Sequence, residues 1–125
     1  MGLLRYFQNN EKEKYKPVEP EQEPSTVTSI TATKGEYEGV TIEFDTQIII
    51  GRDPSVSELI IDDSNVSRKH CCIHYNPKEK NYTITDYSTN GTFVGRERVE
   101  KFSNLTVPGG SFVIIGQSGN NFRLN

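Results

Sequence analysis

Apolar and polar residues alternate in several short runs along the chain. The alternation covers residues 40–45, 71–76 and 82–85, where every second side chain is apolar. Because neighbouring side chains of a strand point to opposite faces, this pattern predicts strands that bury one face. Residues 47–50 instead contain three consecutive isoleucines, which predicts a strand that is buried on both faces.

Residues that favour turns separate these runs from several others of similar length. Gly, Pro, Asn and Asp occupy most of the connections. Strands therefore recur about every 8 to 12 residues, and no helical period is sustained. This spacing predicts an all-β domain over residues 25–125, built as an antiparallel sandwich or barrel. The remaining strands are predicted at residues 25–33, 59–61, 92–94, 105–107, 112–115 and 122–124.

Residues 1–24 have a different composition from the rest of the chain. The run from Asn9 to Pro24 contains five Glu, three Lys and three Pro, and few large apolar side chains. Such a segment buries too little surface to offset the entropy of ordering it, so a disordered polar tail or linker is predicted. The first residues are more apolar, and a short docking motif is the alternative interpretation for Leu3, Leu4, Tyr6 and Phe7.

Charge argues against nucleic-acid binding, and the lengths of the apolar runs argue against membrane insertion. The formal net charge is −3 and the pI is near 5.4, whereas general nucleic-acid binding needs clustered Lys and Arg. Residues 51–101 are balanced as well, with eight Lys/Arg and eight Asp/Glu. No apolar run approaches the roughly 20 residues of a membrane-spanning helix. We therefore expect no nucleic-acid partner and no membrane insertion, and any anion site must be small and shaped.

The two cysteines are adjacent, at Cys71 and Cys72. Neighbours on a strand face opposite ways, so a disulfide between them would be strongly strained. Reduced thiols are typical of the cytoplasm, which is the predicted location.

Three polar motifs interrupt the central strands. They are Gly51-Arg52, Ser67-Arg68-Lys69-His70 and Ser88-Thr89-Asn90-Gly91-Thr92. On a sandwich the connections that contain them can meet at one end. They would bring together a guanidinium group, hydroxyls, an amide and turn N–H groups, a donor-rich set that suits a phosphate or a peptide backbone. No acid–base pair accompanies them, so the set indicates binding without catalysis.

These motifs, in this order and spacing, resemble the signature of forkhead-associated (FHA) domains, whose FHA/SMAD-like β-sandwiches bind phosphothreonine peptides. The resemblance covers about residues 26–125. It implies a non-catalytic signalling module without a cofactor, whose partner is a phosphothreonine-containing protein in a Ser/Thr kinase pathway. The alternative function is a protein-interaction or assembly domain of the same fold that does not need phosphate.

The resemblance also assigns roles to single residues. It implies that Arg52 and Ser67 contact the phosphate, with Arg68 assisting. It implies that Asn90 hydrogen-bonds the peptide main chain, with Thr89 beside it. In the same pattern, structural support of the site comes from Gly51, His70 and Gly91.

Each group of residues also has another interpretation. Arg52 can be a surface ion pair with Asp53 or Asp86, and Ser67 and Asn90 can be ordinary turn residues. Ser67, His70 and Asp86 have the side chains of a hydrolase triad, although no Gly-x-Ser-x-Gly motif is present. A metal site is another interpretation for His70, Cys72 and His74. Arg96, Arg98 and Lys101 either widen the positive field around the site or form an ordinary solvated loop.

The threonines at the start of the domain suggest regulation. Thr26 and Thr28 follow the acidic run and are candidate phosphorylation sites. A phosphorylated Thr26 or Thr28 would then occupy the site of its own chain or bridge to a second copy, as in some bacterial FHA proteins. Thr26 is the less constrained of the two, because Thr28 lies further inside the first predicted strand.

Overall fold

The computed structural model describes residues 23–125, which form two β-sheets packed face to face. The predicted disordered tail and its alternative docking motif lie almost entirely outside the described residues. Within the described part there are eleven strands and no helix that is long and apolar enough to cross a membrane. The strands are β1 Val27–Lys34, β2 Thr41–Asp45, β3 Gln47–Gly51, β4 Leu59–Ile60, β5 Cys71–Asn76, β6 Asn81–Asp86, β7 Thr92–Val94, β8 Glu97–Arg98, β9 Asn104–Pro108, β10 Phe112–Ile115 and β11 Asn120–Leu124.

The all-β sandwich predicted from the sequence is confirmed. One sheet has the order β2-β1-β11-β10-β7-β8, and the other has the order β4-β3-β5-β6-β9. Neighbouring strands are antiparallel, apart from the parallel pair β3 and β4. The apolar faces of both sheets form one core. Its fully buried side chains include Ile30, Ile50, Ile73, Tyr82, Ile84, Val113, Ile115 and Phe122.

Burial follows the predicted alternation most closely in β6, where Tyr82 and Ile84 are buried. Two predictions need correction. Val40 is 47% exposed, because it lies in the turn that precedes β2, where its N–H donates to the carbonyl of Tyr37. Strand β3 is buried on one face rather than both, since Ile49 is only half-buried.

The two ends of the sandwich are distinct. Strands β3, β6 and β10 end, and β5 and β7 begin, at one end, which we call the loop end. The N–H of Gly116, just after β10, donates to the carbonyl of Gly91 there (2.8 Å). At the opposite end, which we call the far end, the N–H of Thr46 donates to the carbonyl of Thr26 (3.0 Å), and the N–H of Tyr75 donates to the carbonyl of Thr46 (2.7 Å). All three predicted polar motifs lie at the loop end.

Candidate functional site

Gly51 lies where the loop before β5 crosses the end of β3. A Cβ atom at Gly51 would be 2.0 Å from the carbonyl oxygen of Arg68 and 2.4 Å from Oγ of Ser57. Ser57 is buried, and its hydroxyl donates to the same Arg68 carbonyl (2.8 Å). The N–H of Arg52 donates to the Ser67 carbonyl (3.0 Å). Only a residue without a side chain permits this approach of the two loops.

His70 joins the loop before β5 to the loop between β6 and β7. It is completely buried. Its Nδ1 accepts from the N–H of Ser67 (3.1 Å), so Nε2 carries the proton and donates to the carbonyl of Gly91 (2.9 Å). Burial lowers the pKa of His70, although the Gly91 carbonyl and the charge of Asp86 act in the opposite direction. The imidazole ring is therefore neutral, and its two hydrogen bonds hold the two loops together.

The same contacts argue against the other interpretations of this histidine. Both of its ring nitrogens are bonded to the main chain, so neither is available to Ser67 Oγ or to a metal. The hydroxyl of Ser67 instead accepts a hydrogen bond from the N–H of Thr89 (3.0 Å). Among residues 23–125, no three His, Cys, Asp or Glu side chains are grouped to hold a metal ion. Ser67, His70 and Asp86 do not form the hydrogen-bonded chain of a hydrolase triad.

Asp86 fixes the loop between β6 and β7 through hydrogen bonds on the buried side of that loop. It is fully buried, and its Oδ1 accepts from the N–H of Ser88 (3.1 Å), the hydroxyl of Ser88 (2.6 Å) and the hydroxyl of Thr92 (2.7 Å). Oγ of Ser88 then accepts from the N–H of Gly91 (2.7 Å), which has φ +97. The turn that presents Thr89 and Asn90 is thus fixed by buried groups. Sequence reasoning missed this role, although an Asp two residues before a Ser is a known turn signal.

Three hydrogen bonds connect the loops at the surface of the loop end. Nε of Arg52 donates to the carbonyl of Val66 (2.9 Å), and Nδ2 of Asn90 donates to the carbonyl of Asn65 (3.0 Å). The Ser67–Thr89 bond is the third. The three predicted motifs therefore converge, and each contributes one side chain to this network.

Several donors remain available after these bonds are made. Within residues 23–125 the two Nη groups of Arg52 have no hydrogen-bond partner, and the hydroxyl proton of Ser67 is not used by its bond to Thr89. Arg52, Arg68, Thr89 and Asn90 are exposed, and Ser67 is half-buried. The carboxylate of the nearby Asp53 accepts from the N–H and the hydroxyl of Ser55 (2.9 Å each). These bonds, with smaller contributions from Arg68 and Arg52, lower the pKa of Asp53.

A further cation lies beside the Asn90–Gly91 turn. A Cβ atom at Gly91 would be 3.0 Å from Nε of Arg98 and 3.1 Å from a ring carbon of Phe93. The sequence predicted that Arg98, with Arg96 and Lys101, lies in a loop that is either solvated or widens the positive field around the site. The structure places it instead in β8, paired with Phe93 of β7. Pairing between strands this short leaves no periodic signal in the sequence.

Together, the fold and the loop end define a β-sandwich domain with hydrogen-bond donors gathered from three loops at one end. The FHA domain family model matches residues 48–116, more than half of the chain, and the chain belongs to this family. FHA domains are phosphothreonine-binding modules, so the resemblance inferred from the three motifs is confirmed at the level of the family.

Known proteins support the same assignment. The chain is 34% identical over 71 residues to the probable serine/threonine-protein kinase fhkC of Dictyostelium discoideum, covering 54% of this chain and 12% of that protein. It is 32% identical over 77 residues to the human nuclear inhibitor of protein phosphatase 1, covering 61% of this chain and 22% of the relative. It therefore spans about a fifth or less of these relatives. Mycobacterium tuberculosis EmbR, solved with a low-affinity phosphopeptide, superposes with a TM-score of 0.64 at 26% identity, over 80% of this chain and 24% of that one.

Proposed function

We propose that the loop end binds a phosphothreonine peptide through Arg52 and Ser67, with Arg68 as an additional cation. The hydrogen-bond network that joins the three loops carries this proposal, because it fixes donors from separate loops around one exposed position. A phosphate is close to a dianion at neutral pH, since its second pKa is about 6. The Nη groups of Arg52 and the hydroxyl of Ser67 supply charge-assisted hydrogen bonds to it.

Asn90 holds the main chain of the peptide next to the phosphothreonine, and Thr89 lies beside it. An amide side chain suits this role because it offers both a donor and an acceptor. The support beneath is provided by Gly51, His70 and Gly91, which are positioning residues rather than ligand contacts. Among the residues that the structure describes, no base or nucleophile is arranged at the site, so we propose binding without catalysis.

Backbone NMR locates the ligand. Adding a phosphothreonine peptide to the labelled protein is expected to shift the amide signals of Arg52, Ser67, Thr89 and Asn90 at the loop end, while Thr46 and Tyr75 at the far end stay unchanged. The unphosphorylated form of the peptide serves as the control and is expected to leave all of these signals in place. Shifts confined to the far end would refute the proposed site.

The cellular context is part of the same proposal. One relative is named as a probable serine/threonine kinase, which supports a phosphoprotein partner in a Ser/Thr kinase pathway. Cys71 and Cys72 are both buried free thiols, and burial raises the pKa of each. Such thiols are inert and are typical of a reducing compartment, which supports a cytoplasmic location.

Regulation by phosphorylation of Thr26 or Thr28 is a second proposal. The positions of these threonines in the fold favour one of them and one mode of binding. The hydroxyl of Thr28 lies 2.6 Å from the hydroxyl of Tyr82 inside β1, so β1 would have to open before a kinase reached it. Thr26 is exposed, and its hydroxyl donates to Asp45. However, it lies at the far end, and the eight residues of β1 extend about 25 Å from there to the loop end. A phosphate on Thr26 would therefore be bound by a second copy and not by its own chain.

A chain phosphorylated only at Thr26 separates these possibilities. In dilute solution it is expected to bind an external phosphothreonine peptide as well as the unmodified chain does, when followed by fluorescence anisotropy. At high concentration it is expected to self-associate, and Arg52→Ala in the same chain should abolish that association. Loss of peptide binding that is independent of protein concentration would show that the phosphate reaches its own site.

A further inference from the structure

A cluster of two aromatic and two lysine side chains lies next to the proposed phosphopeptide site, and all of them are exposed except Tyr87, which is half-buried. Phe102 is 70% exposed, and the centroid of its ring is 6.2 Å from that of Tyr87. The ammonium of Lys69 is 4.1 Å from the centroid of the Tyr87 ring, and that of Lys101 is 5.2 Å from the Phe102 ring. We call these four residues the aromatic–lysine patch.

Phe102 is held in a backbone conformation that is unfavourable for it. Its φ is +65, in the left-handed region that bulky residues rarely adopt. The turn is fixed by its N–H, which donates to the carbonyl of Asp86 (2.7 Å), and by the N–H of Ser103, which donates to the carbonyl of Glu100 (3.0 Å). Gly or Asn would fit this turn with less strain. A phenylalanine that is both strained and exposed gains little from the fold, which points to an external partner.

The patch is continuous with the phosphopeptide site. Lys69 follows Ser67 in the same loop, and the N–H of Tyr87 donates to the carbonyl of His70 (2.9 Å). In the five-stranded sheet, β3, β5, β6 and β9 are consecutive neighbours. Three strand spacings of about 4.8 Å separate the end of β3 from the start of β9, or about 14 Å. An extended peptide covers that distance with about four residues.

We propose that the aromatic–lysine patch binds a flanking segment of the same phosphothreonine ligand, about four residues from the phosphothreonine. This segment carries a large apolar side chain, which packs on Phe102 and Tyr87, and an adjacent acidic residue, which pairs with Lys69 or Lys101. The inference rests on the proposed function, because the phosphate places the segment at the patch.

Three phosphothreonine peptides and two variants test it by calorimetry. One peptide has only Gly and Ser around the phosphothreonine, and the other two carry a Glu-Leu pair four residues before or four residues after it. The wild-type protein is expected to bind one of the paired peptides roughly 5-fold to 10-fold more tightly than the plain one. Phe102→Gly should abolish that preference while keeping the plain affinity within about 2-fold, because it relieves the strain without touching the phosphate site.

Phe112→Ala is the matched control, since Phe112 is 46% exposed and begins β10 away from the loop end. It is expected to keep the preference. Equal wild-type affinity for all three peptides would overturn the inference, as would a Phe102→Gly protein that retains the preference. Self-association of the wild type that Phe102→Gly removes would also overturn it, because the patch would then pair two copies. Failure of the plain peptide to bind would instead contradict the proposed function.

Discussion

Replacing Arg52 with alanine is expected to weaken phosphothreonine-peptide binding roughly 30-fold to several thousand-fold, or about 2–5 kcal/mol, the range for removing one member of a desolvated charge pair. The Nε group of Arg52 is anchored on the Val66 carbonyl (2.9 Å), which directs the guanidinium toward the position beside Ser67. Alanine removes the only side chain from the first motif that reaches this position. The measurement is calorimetric titration with one phosphothreonine peptide.

Arg123→Ala is the matched control. Arg123 is also exposed, but it lies in β11 and bonds the side chain of Asn125 (3.1 Å) near the far end. Its removal changes the net charge equally and should leave peptide affinity within about 2-fold. If Arg52→Ala bound the partner as tightly as the wild type while remaining folded, the phosphate-independent assembly function would be favoured instead.

Replacing Gly51 with alanine is expected to have the largest effect on folding, with a loss of roughly 3 kcal/mol or more in the free energy of unfolding. The added Cβ would be 2.0 Å from the Arg68 carbonyl oxygen, which is a backbone atom and cannot rotate away. The loop before β5 would have to move, and it carries Ser67. The midpoint temperature of thermal unfolding should therefore fall by about 10 °C or more. The affinity for the phosphothreonine peptide should fall as well.

Gly109→Ala separates this steric conflict from the general cost of replacing a glycine. A Cβ at Gly109 would be 3.3 Å from the carbonyl oxygen of Asn125, a contact that a small shift relieves. This variant should unfold within about 1 kcal/mol of the wild type. A Gly51→Ala protein as stable as Gly109→Ala would show that the two loops tolerate separation.

The fold was predictable from the sequence because single strands carry their own signals. The alternation of β6 identified Tyr82 and Ile84 as core residues, and both are buried. The three motifs were also locally readable, since each combines a turn residue with a hydroxyl, amide or guanidinium group. Convergence of the loops followed from the order of strands in a sandwich.

Other features depend on contacts that no local pattern encodes. Asp86 ends its strand like many turn residues, yet it is buried and binds Ser88 and Thr92. Arg98 approaches Gly91 only because the short strands β7 and β8 pair. The positive φ of Phe102 is imposed by a hydrogen bond to the carbonyl of Asp86. Side chains with such roles are found from their neighbours in space rather than from their neighbours in sequence.

Calorimetric titration of the unmodified protein with one peptide in three forms tests the central claim most directly. The forms carry phosphothreonine, phosphoserine or unmodified threonine at the same position. We expect saturable binding of the phosphothreonine form, weaker binding of the phosphoserine form and no measurable binding of the unmodified form. Equal affinity for the phosphothreonine and unmodified forms would contradict the account.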